Sequence, residues 1–229
     1  MKSFLRTSLM AIAVAFIFGS LSATDAKAQL QEILNRMDAH NKSLQTLSSN
    51  VMYVKQNTQI GESDTKEGTV IYKTEKKTKP YVRIDWTKPV LEILASSKGN
   101  YVVYRSTIKQ AYTGETKNAI GSGKAGGVLE FINMSKVQLK ANYSMKYIGA
   151  EKLSNGTETF HLELTPKNAA SYKVADIWVD KDGMPIQMKA TENNNDTTTV
   201  LLSGIKKNIT LKADAFKVKL PPDTQFVKD

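Results

Sequence analysis

Apolar residues near the start of the chain recur every three or four positions, with glutamine, glutamate, asparagine, aspartate and lysine between them. This spacing places the apolar side chains on one stripe and is typical of an amphipathic helix that covers a core. We therefore predict one helix over residues 29–48. Its apolar positions are Leu30, Ile33, Leu34, Met37, Leu44 and Leu47.

From residue 51 the pattern changes to short runs rich in valine, isoleucine, tyrosine and threonine. The breaks between the runs are short and polar, which favours antiparallel strands joined by hairpins. Val82, Ile84 and Trp86 alternate with polar neighbours, so one face of their strand is apolar. The strands predicted in this half are 51–60, 67–75, 80–87, 91–97, 100–107 and 109–113.

A glycine-rich stretch at 121–127 interrupts the strand pattern. The apolar residues that follow it, at 128–134, predict a short movable helix. Asn155-Gly156 and Asp182-Gly183 are typical of hairpin turns in a second meander. The strands predicted there are 143–151, 157–165, 173–180, 184–191, 197–204 and a last one near 216–219.

The first 28 residues have the pattern of a secretory signal peptide. Lys2 and Arg6 precede an apolar core at 9–18, and the small residues at 26–28 form an A-x-A cleavage site. The core is too short to span the ~30 Å of hydrocarbon in a bilayer. We expect cleavage of residues 1–28 and export of the remainder.

The remaining 201 of 229 residues, 29–229, are enough for one domain with its own core. The chain has no cysteine, which excludes a disulfide framework and a lipidated cysteine. The compact signal peptide is typical of bacteria. We expect a single bacterial domain that works outside the cytoplasm.

Residues that carry common catalytic or metal chemistry are scarce. His40 and His161 are the only histidines, which disfavours a zinc site, and without cysteine there is no thiol nucleophile. The glycines at 121–127 lack the spacing of a phosphate loop. Asp180 and Asp182 lie in a predicted turn, where aspartate serves backbone geometry. We expect no enzyme, no metal and no cofactor.

The net charge of +10 changes this picture little. Its lysines are scattered, and the one dense run, 73–79, lacks the interleaved aromatic residues of a single-strand nucleic-acid binder. We interpret the run as a solvated hairpin and expect no nucleic acid partner. Lipid head groups are the anions that it would contact.

Two segments carry motifs in a specific order. In 68–104, a strand that begins at Gly68 is followed by the turn Lys79-Pro80 and by an aromatic strand that ends in Trp86-Thr87-Lys88-Pro89. In 173–227, Ile177-Trp178-Val179-Asp180 precedes Asp182-Gly183-Met184-Pro185. Together these segments resemble the LolA family of periplasmic lipoprotein carriers across essentially the whole processed chain.

The resemblance implies a mainly β fold of the α+β class: an incomplete antiparallel β-barrel of about 11 strands, with an N-terminal helix and a short helical lid over an apolar concave face. Acyl chains bind between face and lid. Which alternation of each strand faces inward stays open at this stage. The lipid-binding candidates are Val82, Ile84, Trp86, Phe160, Leu162, Leu164, Met188, Val200 and Leu202. The lid candidates are Leu30, Ile33, Leu34, Met37, Leu129, Phe131 and Ile132.

The resemblance also implies a latch and partners. Carriers of this family hold the lid closed with an arginine in the turn before the aromatic strand. Lys79 occupies that position here, and because lysine has no bidentate fork, Arg83 is the second candidate. The implied location is the periplasm of a Gram-negative bacterium. The implied partners are acylated lipoproteins, an inner-membrane release complex and an outer-membrane acceptor, and we expect a monomer.

Two other function classes stay open. The same architecture suits a regulatory or binding module that senses lipoproteins, lipids or glycans without transferring them. A hydrolase acting on envelope lipids or glycans would need converging carboxylates, and its candidates are Asp85, Asp180 and Asp182.

Overall fold

The alternating runs of the sequence form one open sheet. The computed structural model describes residues 23–75, 80–115 and 130–228. In these ranges a 12-stranded sheet has the order β12-β6-β5-β4-β3-β2-β1-β11-β10-β9-β8-β7, so β12 and β7 are its edges and it does not close. Neighbouring strands are antiparallel except for the parallel pair of β12 and β6. The predicted incomplete barrel is confirmed.

The strand bounds lie close to the predicted ones, except at the C-terminus. The first six are β1 (Thr46–Asn57), β2 (Glu62–Lys73), β3 (Tyr81–Lys88), β4 (Glu92–Ser97), β5 (Asn100–Arg105) and β6 (Gln110–Glu115). The others are β7 (Tyr143–Lys152), β8 (Glu158–Pro166), β9 (Tyr172–Val179), β10 (Pro185–Glu192), β11 (Thr197–Lys207) and β12 (Gln225–Lys228).

The predicted N-terminal helix is present as α1, Ala23–Ser43. It ends before residue 48 because Thr46 and Leu47 already belong to β1, where Leu47 pairs with Tyr72 of β2. Of the predicted signal peptide, residues 1–22 lie outside the described residues.

The predicted short lid helix is only partly described. A 3-10 helix spans Glu130–Asn133, and α2, Lys136–Asn142, follows it. The sequence prediction missed α2. Its signal was a capping box, in which the Gln138 N–H donates to the Ser135 hydroxyl and the Ser135 N–H donates to the Gln138 side chain, at 3.2 and 2.9 Å.

The prediction of a strand at 216–219 is wrong. The chain between β11 and β12, residues 208–224, crosses the outer face of the sheet, and we call it the strap. Residues 216–219 pair with none of the described strands, because the Arg83 guanidinium donates to the carbonyls of Ala215 and Lys217, at 3.1 and 2.9 Å. The last strand instead begins at Gln225, where it pairs with Gln110 of β6.

Two apolar clusters lie on opposite faces of the sheet. The larger one lies mainly between the inner face and the helices, and it extends to Trp178. The smaller one lies under the strap on the outer face, and its members are Ile93, Tyr104 and Ala111 with Val102, Val218 and Leu220 packed against them. In the first half of the sheet, alternating strand residues therefore contribute apolar side chains to both faces.

Replacing Arg83 with methionine should loosen the strap. The change removes two charge-assisted hydrogen bonds and leaves Asp85 without its partner, so we expect the free energy of unfolding to fall by about 2 kcal/mol and trypsin to cut the strap faster. Urea unfolding and limited proteolysis measure these effects. As a control, Arg105→Met removes a guanidinium that stacks over the Tyr112 ring and should cost under about 1 kcal/mol. Equal effects of both variants would contradict the assignment.

Candidate functional site

The predicted cavity residues meet on the inner face of the sheet. Strand period 2 turns Ile84 and Trp86 inward, with exposed fractions of 0% and 2%, while Arg83 and Asp85 point outward. The sequence left open which of the two alternating sets of β3 residues faces inward. The structure shows that it is the apolar set. All nine candidates belong to one apolar cluster: Ile84, Trp86, Leu162, Leu164, Met188, Val200 and Leu202 are buried, and Val82 and Phe160 are partly buried against it.

The predicted lid residues cover this face. Those that the structure describes belong to the same cluster, and α1 and the 3-10 helix supply them. The structure buries Ile33, Leu34, Met37, Phe131 and Ile132, and partly buries Leu30. Leu129 lies outside the described residues. Cavity and lid candidates are thus in direct apolar contact, with α1 packed where we expect acyl chains to bind.

The latch candidates lie elsewhere. Lys79 is outside the described residues. Arg83 does not reach α1, because its side chain is on the outer face, where its Nε donates to the Asp85 carboxylate at 2.9 and 3.0 Å. The expectation that Arg83 holds the lid is therefore corrected: it holds the strap.

Contacts that the sequence did not reveal fasten α1 at its middle. The β9–β10 turn at 180–184 lies against the helix, and the Arg36 guanidinium donates to the Lys181 carbonyl at 3.3 Å. Gly183, at φ +89°, approaches so closely that an added Cβ would lie 2.3 Å from the Arg36 carbonyl oxygen. The Asp182-Gly183 turn signal predicted the hairpin, but not its distant partner.

α2 also contacts α1 through polar groups. The Lys136 ammonium donates to Asn35 at 2.6 Å, the Lys140 ammonium donates to Gln31 at 2.8 Å, and the Lys136 N–H donates to Asp38 at 3.3 Å. The hydrogen bond from Lys42, and then the one from the Lys136 N–H, hold the pKa of Asp38 below its ordinary value. These contacts are exposed at the rim, so each stabilises closure weakly.

A groove of about 470 Å³ opens between α1, α2 and β7. Its floor includes Leu34 and Met145, and the Lys140 side chain also lines it. Three of its lining residues, Thr24, Lys27 and Ala28, precede the predicted cleavage site. The other lining residues are Leu30 and Gln31.

Two polar atoms are buried in or beside the apolar cluster without a hydrogen-bond partner among the described residues. They are the Tyr72 hydroxyl and His40 Nε2, in residues that are 3% and 7% exposed. Burial raises the pKa of Tyr72 to about 12. Burial, and then the charge of Lys207, lower the pKa of His40 below its ordinary value. His40 is therefore a neutral packing residue.

His161 lies on the outer face, beside Trp178 of the larger apolar cluster. Its ring stacks on Trp178 with centroids 4.4 Å apart, and its nitrogens lie 2.8 Å from the Asp176 carboxylate and 3.2 Å from that of Glu151. The Trp178 indole N–H also donates to Glu151, at 2.7 Å. This network ties β7, β8 and β9 together.

Two of the three carboxylates considered for hydrolysis, Asp85 and Asp180, have structural partners. Asp85 pairs with Arg83, and Asp180 accepts from the N–H groups of Asp182 and Met184 within its own turn, at 2.9 and 2.8 Å. Across the described ranges, no group of three or more acidic or histidine side chains could hold a metal ion. No helix in those ranges is long and apolar enough to cross a membrane.

Comparison with known proteins identifies relatives at the level of family and fold. The family model described as outer membrane lipoprotein carrier protein LolA matches residues 42–219. No curated protein sequence matches the chain significantly. Because the matched segment runs from the end of α1 to the strap, it includes both halves of the sheet.

Several solved structures share the fold at low identity. A conserved protein of Thermus thermophilus has a TM-score of 0.56 and 12% identity, over 88% of this chain and 99% of its own. MucB, known from Pseudomonas aeruginosa, has a TM-score of 0.56 and 12% identity, over 84% of this chain but only 63% of its own. LprF of Mycobacterium bovis has a TM-score of 0.51 and 11% identity, over 81% and 96%. At these identities the likeness shows the fold alone.

Replacing Gly183 with alanine should loosen α1. The new Cβ would collide with the Arg36 backbone, and the positive φ adds strain, so we expect a loss of about 3 kcal/mol or more. Gly99→Ala is the matched control, because Gly99 has φ +82° but no atom within 4 Å of an added Cβ. It should cost about 1–2 kcal/mol. Urea unfolding measures both, and equal losses would contradict the close packing of the turn on α1.

Stability should fall with acidification because of His40. Its pKa is lowered in the folded chain, so the unfolded chain binds the proton more readily as the pH falls below about 6.5. The contribution of neutral His40 to the free energy of unfolding is complete above that pH. It is lost as the pH falls further, by at most about 1.4 kcal/mol per pH unit. The variant His40→Gln should flatten the dependence of the unfolding free energy between pH 7 and 5. An unchanged slope would show that His40 is protonated equally in both states.

Proposed function

The chain belongs to the LolA family of outer membrane lipoprotein carrier proteins, and on this premise we propose that residues 29–229 form one domain that carries the acyl chains of lipoproteins through the periplasm. The observation that carries the proposal is the single apolar cluster shared by the inner sheet face and α1. A cargo chain takes the place of α1 on that face.

The energies of this exchange are of similar size. Ile33, Leu34 and Met37 are the buried apolar residues of the lid helix, and full burial of three such side chains contributes about 4–9 kcal/mol. A dozen methylene groups at about 0.8 kcal/mol each offer a comparable gain. Because the apolar contact has no directional requirement, acyl chains replace the helix without matching its shape.

Reversible loading follows from this near balance. A carrier must surrender its cargo, so its affinity must stay far below the limit of non-covalent binding, near −18 to roughly −21 kcal/mol. Return of α1 to the sheet offsets much of the free energy lost when the chains leave. Methionine at 37 and 188 suits this exchange, because its flexible side chain repacks around irregular ligands.

We infer the location from the signal peptide and the partners from the family. We propose export by the signal peptide at 1–28, so that α1 of the processed chain begins at Gln29. Loading from an inner-membrane release complex and delivery to an outer-membrane acceptor complete the cycle. The proposal includes no catalytic step and a monomeric carrier.

A regulatory binding module is the second candidate. MucB has been solved in complex with MucA(peri), and that MucB structure matches this fold with a TM-score of 0.50 at 12% identity. A module of this kind would bind acyl chains or a protein partner and retain them. Transfer of a fluorescent diacylated peptide from the loaded protein to acceptor vesicles distinguishes the two: a carrier releases it, and a sensor does not.

Acyl binding should quench Trp86 selectively. The chain has two tryptophans, and both are buried members of the larger apolar cluster. Trp86 is on the inner face, with its ring centroid 6.0 Å from that of Tyr53, whereas the Trp178 ring is on the outer face, stacked on His161. In Trp178→Phe, a phospholipid with brominated acyl chains should quench most of the fluorescence. In Trp86→Phe, which keeps Trp178, the same lipid should have little effect.

An unbrominated lipid of the same length is the control for changes unrelated to bromine. Equal quenching of both single-tryptophan variants would place the lipid on the protein surface. No quenching of either, at lipid concentrations that saturate a known acyl binder, would overturn the proposed cavity.

A further inference from the structure

We propose that the Tyr72 hydroxyl is the hydrogen-bond donor that recognises the carbonyl oxygen of an ester-linked acyl chain in the apolar cluster beneath α1. The inference rests on the proposed function and adds a polar determinant to it. Lipoproteins and phospholipids both carry this ester carbonyl, so the proposed hydrogen bond can form with either of them.

The position of Tyr72 supports this role. It lies on β2, where it pairs with Leu47 of β1 and Val82 of β3, and it points to the inner face. Its side chain is a member of the apolar cluster that contains the cavity and lid candidates. A hydroxyl at this point is a polar atom among aliphatic side chains.

The hydroxyl has no partner within the described part of the closed protein. It is buried and forms no hydrogen bond there. The Thr74 hydroxyl, which donates to the Leu44 carbonyl at 2.8 Å, lies near enough to oppose the rise in the pKa of Tyr72. Its lone pairs could accept a hydrogen bond, but its position relative to the Tyr72 hydroxyl does not have hydrogen-bond geometry. More than nine in ten buried polar groups in proteins are hydrogen-bonded, so an orphan donor needs an explanation.

An acyl carbonyl supplies the missing acceptor. A phenol whose pKa is about 12 stays protonated at neutral pH and donates. Hydrocarbon chains carry no acceptor along their length, so the carbonyl at the head of the chain is the one acceptor that enters an apolar cavity with them. The donor therefore selects the position of the chain, which apolar contact alone does not fix.

The geometry also gives the chain a direction. Tyr72 lies beside Val82 at the start of β3, near the turn where α1 joins β1. Trp86 lies four residues after Val82 on β3, which is about 13 Å at the rise of a strand. A chain whose carbonyl meets Tyr72 runs past Ile84 toward Trp86. Bromine near the methyl end should therefore quench Trp86 more than bromine near the carbonyl.

The test compares Tyr72→Phe with the unchanged protein against two probes, a diester phosphatidylglycerol and its diether analogue with the same chains. The unchanged protein should bind the diester three- to tenfold more tightly. Tyr72→Phe should lose that preference and bind the diether as before, because only the hydroxyl is removed. A net hydrogen bond of ordinary strength gives a difference of this size.

Tyr53→Phe is the matched control, since Tyr53 is another buried tyrosine of the same cluster. It should keep the diester preference. Thermal unfolding without ligand is the second readout: removal of an orphan hydroxyl should leave the midpoint unchanged or raise it. A lower midpoint for Tyr72→Phe would show that the hydroxyl already has a partner, and would overturn the inference.

The remaining outcomes separate the two proposals. If the unchanged protein and Tyr72→Phe bind both probes equally well, the cavity stands and the role of Tyr72 is wrong. If the unchanged protein binds neither phospholipid but binds a diacylglyceryl-cysteine peptide, the same comparison with its diether analogue decides the role of Tyr72. If it binds no acyl probe, both proposals fall.

Discussion

The contact between the apolar stripe of α1 and the inner face of the sheet is the constraint on which the rest of this structure depends. An open sheet with alternating side chains presents one apolar face, and without a cover that face would be exposed to water. α1 supplies the cover with Ile33, Leu34 and Met37. Since burial of apolar area is not directional, the same face accepts another apolar body of similar size.

The other face of the sheet is built to stay closed. The strap covers the half formed by β3 to β6, and Arg83 binds two of its carbonyls while its Nε pairs with Asp85. On the other half, His161, Trp178 and their carboxylate partners connect three strands. Directional polar contacts, together with the small apolar cluster under the strap, thus fix the outer face, and apolar contacts dominate the inner one. In the proposed carrier, this division lets the lid move while the sheet keeps its shape.

The closed state is not fully optimised. His40 Nε2 and the Tyr72 hydroxyl are buried without partners in the described ranges, and each such group costs about 1–3 kcal/mol. Gly183 permits the close approach of the β9–β10 turn that holds α1 in place. In the proposed carrier, these features favour a small difference in free energy between closed and open states, as exchange of a bulky ligand requires.

Local pattern determined the class of fold, the helix, most strand positions and the membership of the apolar cluster, because periods of 3.6 and 2 residues record which side chains are buried. The second helix was missed. The final strand was misplaced, because 216–219 alternates like a strand, yet this part of the strap is hydrogen-bonded by Arg83. Only the tertiary structure decided which face is inward, what fastens α1 and which polar atoms are orphaned. These depend on contacts between residues such as Arg36 and Lys181, which are 145 positions apart, and no local pattern records them.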